Sequence, residues 1–150
     1  MSGAKEAALG LLRSRKEAGG SIDWLQQRQE WVQDLAELYA LLSEWMGDAT
    51  SEDLLIVKED SVVLTEEHLG KYQAPALRIE LPDSCVRVRP VGRLIVGAQG
   101  RVDLERSPRR VTLLRMGPGD WAVASLDTRR DPPESLTQET FWKAFEALIR

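Results

Sequence analysis

Between Ser21 and about Gly47 the large apolar residues recur at helical spacing. Trp24, Trp31, Leu38 and Trp45 follow at seven-residue intervals, almost two helical turns, so they stack along one side of a helix. A second stripe of Leu25, Val32, Leu35, Tyr39, Leu42 and Met46 widens that side. About 24 helical residues would span roughly 36 Å, long enough to cross a small sheet. Asp23 and Gln26 stand in capping-box spacing, with Ser21 as an earlier cap. Gly47 ends the helix before a polar connector, Asp48 to Asp53.

From Leu54 the period changes from helical to β. Leu54–Val57 and Ser61–Thr65 read as two short strands around a Glu59-Asp60 turn. Ala76–Leu81 alternates, with Leu77, Ile79 and Leu81 on one face and Arg78 and Glu80 on the other. After a Pro82-Asp83-Ser84 turn, Val86 and Val88 oppose Arg87 and Arg89, and Arg93–Val96 extends the pattern. Gly97–Gly100 is a hairpin-type turn into Arg101–Glu105; Arg110–Met116 and Trp121–Leu126 make a further pair around Gly117–Asp120. Asp131-Pro132-Pro133 stops the sheet region. A last helix, capped by Ser135 or Thr137, buries Phe141, Trp142, Phe145, Leu148 and Ile149.

Short gaps between strands favour antiparallel neighbours, so the expected fold is α+β. A long N-terminal amphipathic helix packs on an antiparallel β-meander of about seven strands, and a short C-terminal helix follows. Residues 1–20, ending in Gly19-Gly20, form a flexible or short helical segment with a possible helix over Lys5–Glu17; residues 21–150 form a single domain. Most of the Trp stripe is expected in the core. Trp24 and Trp45, at the helix ends, are the positions expected to overhang the sheet.

The net charge of −4 conceals two opposed blocks. Residues 22–70 carry twelve acids and two bases, whereas residues 78–115 carry nine arginines, no lysine and four acids. The blocks either face each other or address different partners. Arginine forks suit phosphate, which raises a nucleic-acid reading with Tyr72 or Trp121 as stacking partners, but the overall pI near 5.1 weighs against it. The acidic polar face of the long helix argues against anionic membranes. With no run of 18 apolar residues, no leader-like apolar stretch at the start and one cysteine, Cys85, the chain is expected in the cytoplasm.

No residue set identifies a reaction. Asp103 and Glu105, two apart on one strand face, are the best pair for a metal-dependent nuclease, with Asp83 or Glu80 as a third acid, but the usual lysine is missing. His68 is the only histidine and reads as a surface residue at a strand end. Gly97 and Gly100 suit a tight turn; the segment lacks the Lys-Ser/Thr of a phosphate loop and no helix follows it. Cys85 reads as a small hydrophobe.

The segment Pro90-Val91-Gly92, an apolar strand and Gly97-Ala98-Gln99-Gly100-Arg101-Val102-Asp103, with a later Leu136…Glu139…Phe145, resembles a family of small bacterial proteins with no known activity. The likeness runs from the Trp-bearing helix to Phe145; the late motif departs from the pattern where Phe141 and Trp142 follow Glu139. The resemblance implies a shared fold and a bacterial origin. The functional expectation is a non-enzymatic interaction or accessory protein, without cofactor or metal. It would bind a protein partner or a second copy through Trp24, Trp31, Trp45, Arg87, Arg89, Arg101 and Asp103. A nuclease at Asp103/Glu105 and a nucleic-acid module on the arginine-rich sheet are the alternatives.

Overall fold

The computed structural model describes residues 3–20, 23–94, 97–124 and 132–150. In order come α1 (Gly3–Gly20), α2 (Trp24–Trp45), α3 (Gly47–Ser51), β1 (Ile56–Glu66), β2 (Gly70–Glu80), β3 (Cys85–Gly92), β4 (Arg101–Arg106), β5 (Arg109–Gly117), β6 (Asp120–Ala124), β7 (Glu134–Ser135) and α4 (Gln138–Ile149). The strands form one sheet in sequence order, each antiparallel to the next, so the fold is α+β with a seven-stranded meander. Helix α2 packs on β2, and α4 packs on β4, β5 and β6.

The α2 stripe explains that layer. Trp31, Leu35, Leu38, Tyr39 and Leu42 are buried, while Trp24 and Trp45 are half-buried at the ends. Asp23 caps the helix by accepting from the Gln26 amide at 3.0 Å. From the sheet, Val86 and Val88 of β3, Val102 and Leu104 of β4, and Val111 and Leu113 of β5 point into the same core. Thr137 caps α4 through a box with Thr140, and Phe141, Phe145 and Leu148 complete the core; Ile149 remains 42% exposed.

Several segments differ from the sequence expectation. Leu54–Val57 and Ser61–Thr65 are not two strands: Ile56–Glu66 is one, in unbroken register with β2 and with no turn at Glu59-Asp60. The inward positions change phase along this hairpin. Val57, Leu77 and Ile79 face the core at one end, and Val62, Leu64, Tyr72 and Ala74 at the other. The hairpin therefore turns over as it passes α2, and the exposed stretch Lys58–Ser61 mimics a turn in the sequence. The second strand begins at Gly70 rather than Ala76. Asp48–Asp53 is not plain connector, because Gly47–Ser51 adds a helical turn. Arg93 and Leu94 form a bend instead of strand, and positions 95–96 lie outside the described residues, as do 125, 126 and 131. The short β7, pairing Glu134–Ser135 with β6, carried no sequence signal.

Candidate functional site

Because side chains alternate along a strand, each sheet residue faces either the helices or the opposite side. On that opposite side Lys58, Arg78, Arg87 and Arg110 are all exposed. Register aligns Lys58, Arg78, Arg87, Glu105 and Arg110 in one row across five strands. The next row joins Arg89, Asp103 and Thr112. Adjacent strands are ~4.8 Å apart, so Lys58, Arg78 and Arg87 put three cations within about 10 Å.

Three carboxylates neutralise part of this face. Asp103 takes both Nε and Nη2 of Arg101 at 2.9 and 3.1 Å and the Thr112 hydroxyl at 3.0 Å, with Arg110 at 3.8 Å. These side chains cover it so fully that Asp103 is 1% exposed. The hydrogen bond to Asp103 also holds the Arg101 pKa above the usual arginine value. Glu105 accepts from Arg89 at 3.0 Å. Glu80 lies 3.2 Å from Lys58 and 3.7 Å from Arg78. Arg87, exposed and directly opposite Arg78, makes no ion pair among the described residues. Like charges directly opposite in a sheet destabilise it, so the Arg78–Arg87 pairing opposes folding, while Glu105 across from Arg87 on β4 is taken up by Arg89.

The remaining arginines serve the fold. Arg115, 2% exposed on the helix side, donates from Nε to Asp34 of α2 at 2.6 Å and from Nη1 to the Gln99 carbonyl at 3.3 Å. Asp34 also accepts from the Gly119 amide at 3.2 Å. Arg106 and Arg109 donate to carbonyls at the C-terminal end of α4, where positive charge offsets the helix dipole. Burial lowers the pKa of Arg93, and nearby Arg115 adds to the shift.

The glycine-rich segment is a packing device. Gly100, at φ +155°, lies against Trp31, and a Cβ there would sit 2.4 Å from the indole ring. The Gln99 amide donates to the Arg115 carbonyl at 2.7 Å and the Arg115 amide to the Gly100 carbonyl at 2.8 Å. The segment thus zips onto β5, and the Gln99 amide is committed to that pairing. His68 sits at the β1–β2 tip with φ +66°, stacked on Trp24 at 4.6 Å. At the same tip Glu66 accepts from the Arg93 and Leu94 amides at 2.8 and 3.0 Å and from the Tyr72 hydroxyl. Cys85 is half-buried.

The sequence-selected residues therefore divide. Arg87, Arg89, Arg101 and Asp103 share the open sheet face. Trp31 has no exposed surface, so it offers nothing to a partner; Trp24 rests on His68 and Trp45 lies 5.8 Å from Phe141. Lys58, Arg78 and Arg110 were missed as members of the row, because only strand register brings them beside Arg87. For the nuclease pair, Asp103 is enclosed by its donors and Glu105 is held by Arg89. Among the described residues no group of three His, Cys, Asp or Glu side chains could hold a metal ion. No described helix is long and apolar enough to cross a membrane. Comparison with family models, curated proteins and solved structures finds no match to this chain.

Proposed function

We propose that this chain is a non-enzymatic accessory protein, of adaptor or immunity type, that binds a protein partner through its open sheet face. The observation that carries the reading is the cation row Lys58–Arg78–Arg87, set on a face that the fold leaves uncovered among the described residues. Arginine is enriched at protein interfaces, and Arg87, without an ion pair among the described residues and flanked by exposed Arg78 and Lys58 that share the single carboxylate of Glu80, favours an acidic partner surface. Every Trp, Tyr and Phe lies in the core or packs against it, so the open face has no platform for stacking bases. Interleaved Glu80, Asp103 and Glu105 would also repel a continuous phosphate backbone. Both points favour protein over nucleic acid. The bacterial and cytoplasmic setting belongs to the same proposal and rests on the sequence resemblance and the single cysteine.

A photo-crosslinking amino acid at position 87, expressed in the native host, tests the reading. A discrete adduct with one protein is expected, absent when the crosslinker replaces Gln33 on α2 and lost on adding Arg78→Glu and Arg110→Glu. Equal labelling from both positions, or none from position 87, overturns it.

A further inference from the structure

Two features remain without partners among the described residues. The first is α1, whose side chains at 3–16 are exposed apart from half-buried Leu9. Leu11 and Leu12 are 65% and 59% exposed, and Ala4, Ala7 and Ala8 share their side of the helix at spacings of three and four. Lys5, Arg13, Arg15 and Lys16 outweigh Glu6 and Glu17, so α1 is a basic helix with an apolar stripe. The second is a groove of about 720 Å³ between α2–α3 and the β1–β2 hairpin. Ala36, Ala40, Ser43 and Gly47 form one wall and Val57 and Pro75 the other. Glu59 and Asp60 also line it, and Glu37, Glu44 and Asp48 are exposed on the adjoining helices. Tyr39, 5% exposed, is part of the groove lining, and its hydroxyl has no hydrogen-bond partner among the described residues.

We infer that this groove docks the α1 helix of a second copy of the chain. The small side chains on α2 allow another helix to approach closely, leaving room for leucines. The acidic surround complements the basic helix and fixes its orientation more than its affinity. Exposure decides between the two sources of α1: the chain's own helix leaves Leu11 and Leu12 65% and 59% exposed and so does not seat them in the groove, whereas α1 of another copy is free to enter it. Reciprocal docking closes a two-fold dimer in which each copy supplies one helix and one groove. Two helices ~27 Å long and ~10 Å wide would bury on the order of 1,000 Å² in total, the low end for specific interfaces. The sheet face takes no part, so this inference stands apart from the proposed function.

Sedimentation of the full chain across concentration tests it. A dimer in the micromolar range is expected, weakening as salt is raised. Leu11→Glu with Leu12→Glu should weaken it at least about a hundredfold, as should Ala40→Arg in the groove. Mixing those two variants should restore a heterodimer, since one retains a sound groove and the other a sound helix. That rescue would not follow from misfolding. A wild type that stays monomeric, a leucine variant that associates normally, or a mixture without heterodimer overturns the inference. So does a monomer whose α1 amides are protected from hydrogen exchange, which would mean that α1 docks on its own chain.

Discussion

Arg115 and Arg87 stand on the same sheet, yet they have opposite circumstances. Arg115 points toward the helices, where it is 2% exposed and joined to Asp34 and the Gln99 carbonyl. Arg87 points away from them, exposed and facing Arg78. The guanidinium is identical, but the side of the sheet decides whether it ties α2 to the strands or remains free for another molecule. A buried charge must be paired, because desolvation otherwise costs several kcal/mol; an exposed one retains its water.

The largest effect should come from breaking the buried side. Asp34→Ala leaves Arg115 buried without its carboxylate and should cost about 3–5 kcal/mol in urea unfolding. A loss below 1 kcal/mol would mean that water reaches the guanidinium. Next, Gly100→Ala drives a methyl group into the Trp31 ring and should cost about 1–3 kcal/mol, with altered near-ultraviolet circular dichroism. An unchanged midpoint would show that this contact is loose.

These two positions also mark how far the sequence could be read. The apolar periods of α2 and α4 made the helices legible, and the alternation of Val86–Arg89 and Arg101–Glu105 made the central strands legible. Period alone failed at Lys58–Ser61, where the turning hairpin interrupts the alternation without interrupting the ladder. The nine arginines of residues 78–115 looked like one block. Their division into helix-side braces and an open-face row depends on strand register and on Asp34, which lies 81 residues from Arg115. Likewise, Gly100 suggested a turn, and only the tertiary fold shows that its missing side chain makes room for Trp31.

Smaller effects sharpen the contrast between satisfied and unsatisfied groups. Tyr72→Phe removes a hydroxyl that donates to Glu66 and should cost about 1 kcal/mol. Tyr39→Phe removes a hydroxyl without a partner among the described residues and should be neutral or slightly stabilising. Equal losses at the two sites would contradict the hydrogen-bond assignment. Burial raises the pKa of both tyrosines above the ordinary 10.0; at Tyr72 the Glu66 carboxylate adds to it. A raised pKa favours the neutral hydroxyl in the folded state, so its stabilisation is complete below pH 10 and falls as pH climbs beyond it. Wild type should therefore lose stability above about pH 10, and Tyr72→Phe should lose it less steeply. Parallel pH profiles would remove Tyr72 as a source of that loss.

The most direct measurement sets Arg115→Ala beside Arg87→Ala in paired urea unfolding curves. Arg115→Ala should fall by about 3–5 kcal/mol, while Arg87→Ala should stay within about 0.5 kcal/mol of wild type or gain slightly from relieving its opposition to Arg78. If Arg87→Ala destabilises the chain as much as Arg115→Ala, the open-face arginines serve the fold, and the division between the two sides of the sheet is wrong.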